Sequence, residues 1–241
     1  MNNYKDRLYE NYVSTHILTR KGRATLDEFK HRSLVYQKRF GRSLPQEKTA
    51  KIIDIGCGNG SVVWWLHQSG FTNTEGIDIS FEQIEAGQKL GIKNIKKADA
   101  KEFLIDKRRL YDVIFLRDLL EHFNKEEMIE VLDLCYLSLK DKGTVIIQVP
   151  NAESPFFGRI RYGDLTHEIA FSTSSLSQLL RMTGFSEIRF FSTEPLIFGI
   201  KSFIRYILWK IIESFYKFFL FAELGRAKRI VTQNIISIGV K

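Results

Sequence analysis

The period of the apolar positions changes along this chain, and each change marks an element. Ile52, Ile53 and Ile55 form a nearly unbroken apolar run of the kind buried on both faces of a parallel sheet. Tyr111–Leu116 and Thr144–Val149 repeat it, and weaker runs at 73–80, 94–98, 185–192 and 233–240 complete seven predicted strands. Helical spacing fills the gaps: Ser61–His67, Phe81–Leu90, a short turn at Ala100–Phe103, and Glu126–Lys140 with Met128, Val131, Leu132 and Cys135 on its buried side. Ser172 or Thr173 caps a helix through Leu176, Leu179 and Leu180, and residues 152–171 read as a long loop. Strands alternating with helices predict an α/β fold, a doubly wound, mostly parallel seven-stranded Rossmann-like sheet.

Two segments lie outside this alternation. Residues 1–49 read as an N-terminal helical cap on a domain spanning 50–241, with Tyr4, Leu8 and Tyr12 four apart, and Phe29, Tyr36 and Phe40 near one face. The second is a helical insertion, about 195–230, before the last strand. In its 200–221 stretch Ser202, Tyr206, Lys210, Glu213, Ser214 and Lys217 gather on one side and leave a broad apolar face. Lys201 and Arg205 fall off the polar side, so a bend or a second short helix fits the pattern. Its lysines and arginines are too frequent for a membrane span. The apolar face suits the domain itself, a homodimer partner or a membrane interface.

Chemistry concentrates at Lys51-Ile-Ile-Asp-Ile-Gly-Cys-Gly-Asn-Gly60. A strand ends in a carboxylate and a turn with glycine at alternate positions, which lets a ligand approach the main chain and the following helix N-terminus. A dinucleotide fingerprint would need glycine at 61, where Ser61 stands, and Asp54 would repel a diphosphate. A cationic ligand suits it better. The segment resembles motif I of the class I S-adenosylmethionine-dependent methyltransferases, acid-x-Gly-x-Gly-x-Gly. The resemblance implies S-adenosylmethionine as cofactor, with Asp54, Gly56, Cys57, Gly58 and Gly60 around its methionine end; on residue type alone Cys57 is a small packable side chain. Asp78, followed by Ile79, closes the second strand 18 residues beyond Gly60 and is placed to accept from ribose hydroxyls. By resemblance Asp99 accepts from the adenine amino group between Ala98 and Ala100; the other reading of Asp99 is a helix cap. Arg117-Asp-Leu-Leu-Glu-His-Phe123 resembles the Asp-x-x-Glu-His segment of small-molecule, quinone-precursor and sugar methyltransferases, and Arg117 joins the cofactor set. The fold so implied ends in an antiparallel seventh strand.

The net charge of +8 invites a nucleic-acid reading until it is divided along the chain. Residues 1–49 hold 11 Lys/Arg against 5 Asp/Glu, residues 50–194 hold 17 against 21, and residues 195–241 hold 8 against 2. The core is mildly acidic, so no phosphate-tracking groove crosses it. Neither an Asp/Asn-Pro-Pro-aromatic tetrad nor a Pro-Cys pair follows the fourth strand, which also speaks against a nucleic-acid acceptor. Cys57 and Cys135 are the only cysteines, and the polar first residues lack the apolar core of a signal peptide, so the expectation is a cytoplasmic protein with reduced thiols, peripheral at the inner membrane if the insertion meets lipid.

For the acceptor, Arg161-Tyr-Gly-Asp-Leu-Thr-His167, the insertion and the terminal strand resemble methyltransferases of bacterial cell-surface polysaccharide and O-antigen synthesis. That implies O-methylation of a sugar in a glycan precursor. A small molecule or quinone precursor is the alternative acceptor, and a non-catalytic cofactor-binding scaffold the alternative class. An alkyl hydroxyl needs a general base, for which His167 is the first candidate and His122 the second. Arg159, Arg161, Tyr162 and Asp164 of the long loop are the candidate substrate contacts. No metal is expected, because the sequence alone gives no tight set of three ligands.

Overall fold

The computed structural model describes Leu8 and residues 24–225 and 229–241. The spacing at Tyr4 and Tyr12 lies outside the described residues. Seven strands form one sheet: β1 (Ile52–Ile55), β2 (Thr74–Asp78), β3 (Ile95–Lys97), β4 (Tyr111–Arg117), β5 (Leu139–Pro150), β6 (Ser186–Ser192) and β7 (Asn234–Val240). Their order is β3-β2-β1-β4-β5-β7-β6, with β7 antiparallel to both its neighbours and the first five parallel. The order reverses between β1 and β4, so the crevice beyond the carboxyl ends of these strands is where such a sheet takes its ligand.

Period-two alternation splits the core into two faces. Ile53, Ile55, Ile114, Leu116, Val145 and Ile147 pack beneath α5 (Lys125–Ser138) and α7 (Thr173–Met182). Ile52, Val113, Phe115 and Ile146 pack beneath α1 (Leu26–Phe40) and α2 (Ser61–Gln68). Helix α1 begins where the Thr25 side chain accepts from Glu28 N at 3.2 Å, and carries acids in its first turn and bases in its last, matching its dipole. Its Tyr36 and Phe40 rings reach Trp65 and Phe115 at 5.6 Å each. Helices α3 (Phe81–Lys89) and α4 (Ala100–Leu104) follow β2 and β3.

Three boundaries depart from the apolar pattern. Helix α5 stops at Ser138 and β5 starts at Leu139, earlier than expected, because Leu139 is buried opposite Tyr111. The long loop contains a short helix, α6 (Phe157–Arg161). Among the described residues the insertion forms a single 25-residue helix, α8 (Ile200–Leu224). Its polar side faces the protein: Glu213 is buried and paired with Lys210 at 2.9 Å and Lys217 at 3.0 Å, while Ile200, Ile211, Phe215 and Phe218 face solvent. Burial of its apolar face in its own domain, one of the three destinations left open above, is therefore not what the structure shows.

Gly87, in the middle of α3, lets that helix rest on the glycine turn: a Cβ there would strike the Asn59 carbonyl oxygen and sit 2.5 Å from Ile95 Cδ1. Gly87→Ala gains about 1 kcal/mol of helix propensity yet is expected to lose about 1–3 kcal/mol to overpacking, read as a lowered urea midpoint. An unchanged midpoint would mean the turn recedes freely.

Candidate active site

The turn after β1 is fixed from below and from the side. Gly56 N and Cys57 N both donate to Ile77 O at 2.8 and 2.9 Å, and Gly56, Gly58 and Gly60 take φ of 72°, 56° and 79°, a region closed to most side chains. One oxygen of Asp78 accepts from Gly58 N and the other from Ser80 N, each at 2.8 Å. The crevice above is lined by Gly56, Cys57, Gly58, Asp78, Ile79, Asp99, Ala100 and Arg117, all among the residues singled out from sequence. Asp54 and Gly60 do not line it. Gly60 turns the chain into α2, and Asp54 lies behind the loop, 1% exposed. Asp99 fills both of its readings, since it caps α4 by accepting from Lys101 N at 2.8 Å and Glu102 N at 3.1 Å while facing the crevice.

Charge in this region is governed by burial. Burial pushes the Asp54 carboxyl up to about 7, with Arg117 opposing the rise and Asp78 and Asp118 adding to it. Its Oδ1 has no hydrogen-bond partner. Asp78 is likewise raised by burial, against the pull of the two N–H groups it accepts. The Cys57 thiol is held far above its ordinary value by burial and by Asp54 and Asp78, so it is packing rather than chemistry. Burial works against the charge on Arg117, but Tyr36, Asp118, Asp54 and Glu121 together outweigh it and keep the guanidinium charged, 5.2 Å over the Tyr36 ring.

The acceptor side is assembled from the ends of β4 and β5. Asp118 adopts a positive φ of 54° and accepts from Gln148 Nε2 at 2.9 Å, a strained backbone of the kind kept at functional sites. His122 lines the crevice. Its Nδ1 lies 2.8 Å from Thr166 Oγ1, which stands 2.6 Å from Asp164 Oδ1. The single hydroxyl proton of Thr166 goes to the carboxylate, so Thr166 accepts from His122 Nδ1–H and the imidazole lone pair resides on Nε2. Burial, then the nearby His167, lowers His122 to about 4.

His167 stacks edge-on against His122 with ring centroids 4.7 Å apart, but it does not line the crevice. Its Nδ1 donates to Ile160 O at 3.0 Å, and burial lowers its pKa as well. Glu121, His122 and His167 each bring one potential ligand atom within 4.8 Å of the others, a three-ligand set the linear sequence does not reveal. Among the candidate substrate contacts, Arg159 and Tyr162 are exposed, whereas Arg161 is spent on the carbonyls of His167 and Glu168 and buried Asp164 holds Thr166. Sequence reasoning overlooked Thr166 and Gln148, and also Arg32 and Gln83, which reach the crevice from α1 and α3.

Residues 29–188 match a family model described as a methyltransferase domain. A phosphoethanolamine N-methyltransferase of Plasmodium falciparum (isolate 3D7) is 26% identical over 113 residues, 46% of this chain and 42% of that protein, so the chain spans less than half the length of this curated relative. A SAM-dependent methyltransferase from Archaeoglobus fulgidus superposes with a TM-score of 0.66 at 25% identity, covering 90% of this chain and 98% of that one. A Haemonchus contortus phosphoethanolamine N-methyltransferase 2, solved with phosphomonomethylethanolamine and S-adenosylhomocysteine, shares the fold at a TM-score of 0.60 and 18% identity, over 88% of this chain and 52% of that one.

The crevice fits S-adenosylmethionine on its own terms. Glycines open the backbone, Asp78 and Asp99 present acceptors, and the orphan oxygen of Asp54 favours a nearby positive charge. A cationic ligand draws the Asp54 proton off, so just below pH 7 binding is expected to release a proton and to tighten with rising pH, approaching about tenfold per unit. Calorimetry in buffers of different ionisation enthalpy measures the release; equal enthalpies for the wild type and for Asp54→Asn would reject this role.

Proposed function

We propose, because the chain belongs to the methyltransferase-domain family and is an S-adenosylmethionine-dependent methyltransferase, that its acceptor is a hydroxyl of a sugar in a cell-surface glycan precursor. The relay Asp164–Thr166–His122 at the edge of the cofactor crevice carries this reading. An amine attacks through its own lone pair once neutral, whereas an alkyl hydroxyl needs a base at the moment of attack. The chain spends two buried polar side chains on orienting such a base. Exposed Arg159 on the loop after β5 suits the phosphate of a nucleotide- or lipid-linked sugar. We place the enzyme in the cytoplasm.

When bound, S-adenosylmethionine supplies an electrophilic methyl group on a sulfonium. The residues of the chain then have separable tasks. Asp78 and Asp99 hold the nucleoside end, and the glycine turn brings backbone N–H groups to the crevice without intervening side chains. His122 receives the hydroxyl proton at Nε2, keeping its Nδ1 proton on Thr166. The carboxylate of Asp164 stabilises the imidazolium so formed through the Thr166 hydroxyl. His167 backs the His122 ring and is assigned to positioning, reversing the order in which the sequence ranks the two histidines.

His122→Ala is expected to lower kcat by about a hundredfold or more with little change in donor affinity, and Thr166→Val by roughly tenfold. Because burial keeps His122 neutral above about 4, kcat at saturating donor should hold level through mildly acidic pH. Equal loss for His122→Ala and His167→Ala, with an acid limb near the ordinary imidazole value, would reject the assignment. Labelled donor with sugar nucleotides and lipid-linked glycans tests the acceptor; methylation of phosphoethanolamine or a quinone precursor alone would overturn it.

The reading uses no metal, so activity is expected to survive exhaustive chelation. Loss on chelation with recovery on adding a divalent ion would instead hand Glu121, His122 and His167 to that ion.

A further inference from the structure

Helix α8 is built inside out. Its inward side carries the polar groups: Glu213, 7% exposed, between Lys210 and Lys217, with Lys210 also reaching Glu194 at 2.5 Å. Its outward side, followed at 100° per residue, presents Ile204, Ile207, Ile211, Phe215, Phe218 and Phe221 in one strip, all of them exposed. At about 1.5 Å per residue the strip from Ile204 to Phe221 is about 26 Å long, a continuous exposed apolar surface of the kind that marks an interaction site. Among the described residues no helix is long and apolar enough to cross a membrane.

Charge decides what covers the strip. Exposed Lys201 and Arg205 flank its first turns, and Glu223 is the one acid on its outward side, while Arg229, beyond its end, is paired with Glu153 at 2.6 Å. Two copies packed in parallel through this face would set Lys201 and Arg205 of one against those of the other. An anionic lipid surface neutralises both. The face also continues off the helix: Phe156, from the loop after β5, lines a groove with Leu208, Ile212, Arg39 and Arg205. Arg39 keeps a buried Nε there without a partner.

We infer that α8 lies flat in the headgroup boundary of an anionic membrane, with its outward side in the acyl layer and Lys201 and Arg205 on the lipid phosphates. The same contact sets the loop after β5, which bounds the acceptor side, against the bilayer. Binding follows from the helix alone and does not rest on the glycan reading, so the two fail separately.

Flotation of the full chain with vesicles tests it. The chain is expected to float with phosphatidylcholine/phosphatidylglycerol vesicles and to release as salt rises. Ile211→Glu/Phe218→Glu should abolish flotation while leaving S-adenosylmethionine binding and the melting temperature unchanged, since both positions point away from the protein. Lys201→Gln/Arg205→Gln should weaken vesicle binding by roughly tenfold or more. A wild type that stays at the bottom of the gradient and sediments as a dimer, dissociated by Ile211→Glu/Phe218→Glu, would overturn the proposal. So would equal binding to pure phosphatidylcholine, which would remove the basis for choosing an anionic surface.

Discussion

The site depends on how Asp78 is used. Its two carboxylate oxygens accept from Gly58 and Ser80, so one side chain at the end of β2 holds the turn after β1 and the start of α3 in a common frame. Each bond is charge-assisted and half buried, and losing one would leave a donor or an acceptor unsatisfied in a crowded place, at about 1–3 kcal/mol. The three positive φ angles of the glycines are tolerable because this clamp, and Ile77 O beneath it, over-determine the loop. A carboxylate that faces the crevice thus shapes it as well, and its two duties cannot be separated by mutation.

Placing so many acids beside a crevice has an electrostatic cost, which the fold meets with burial and with Arg117. Asp78 and Asp118 both act on Asp54, and the guanidinium of Arg117, which lies over the Tyr36 ring, interacts with Asp54 and Asp118. The Asp54 carboxyl, pushed up to about 7, is therefore poised between two states. Protonation is one way to relieve the repulsion, and a nearby sulfonium is another. The chemical character of the donor is written into the charge balance of the pocket, which is why a diphosphate ligand is a poor match for the same turn.

Much of the fold was legible because burial on two faces leaves a one-dimensional trace. The apolar runs at β1, β4 and β5 and the glycines after β1 require no partner to be recognised. Asp78 and Asp99 were legible from spacing and from resemblance. What the sequence hid depends on contacts between distant segments. Thr166 is an unremarkable residue until the chain brings it to His122, 44 positions away. Arg32 reaches the crevice only because α1 lies on α2, and nothing in the sequence announces that Asp118 takes a positive φ. The different placement of the two histidines was hidden for the same reason: both follow strands that border the crevice, but His122 lines it and His167 packs against His122.

Helix α8 shows the converse limit, where the pattern was plain and its orientation was not. An amphipathic period states that a helix has two unlike faces; which face turns inward is set by what waits on the protein surface. Here the surface offers Glu194, and Lys210 finds its partner there. Burying Glu213 between two lysines is tolerable only because both ion pairs remain partly solvated, so they fix the helix's rotation while adding little stability of their own. The apolar side was left outward by that choice. A helix held to its domain by such polar contacts keeps its driving force for burial unspent.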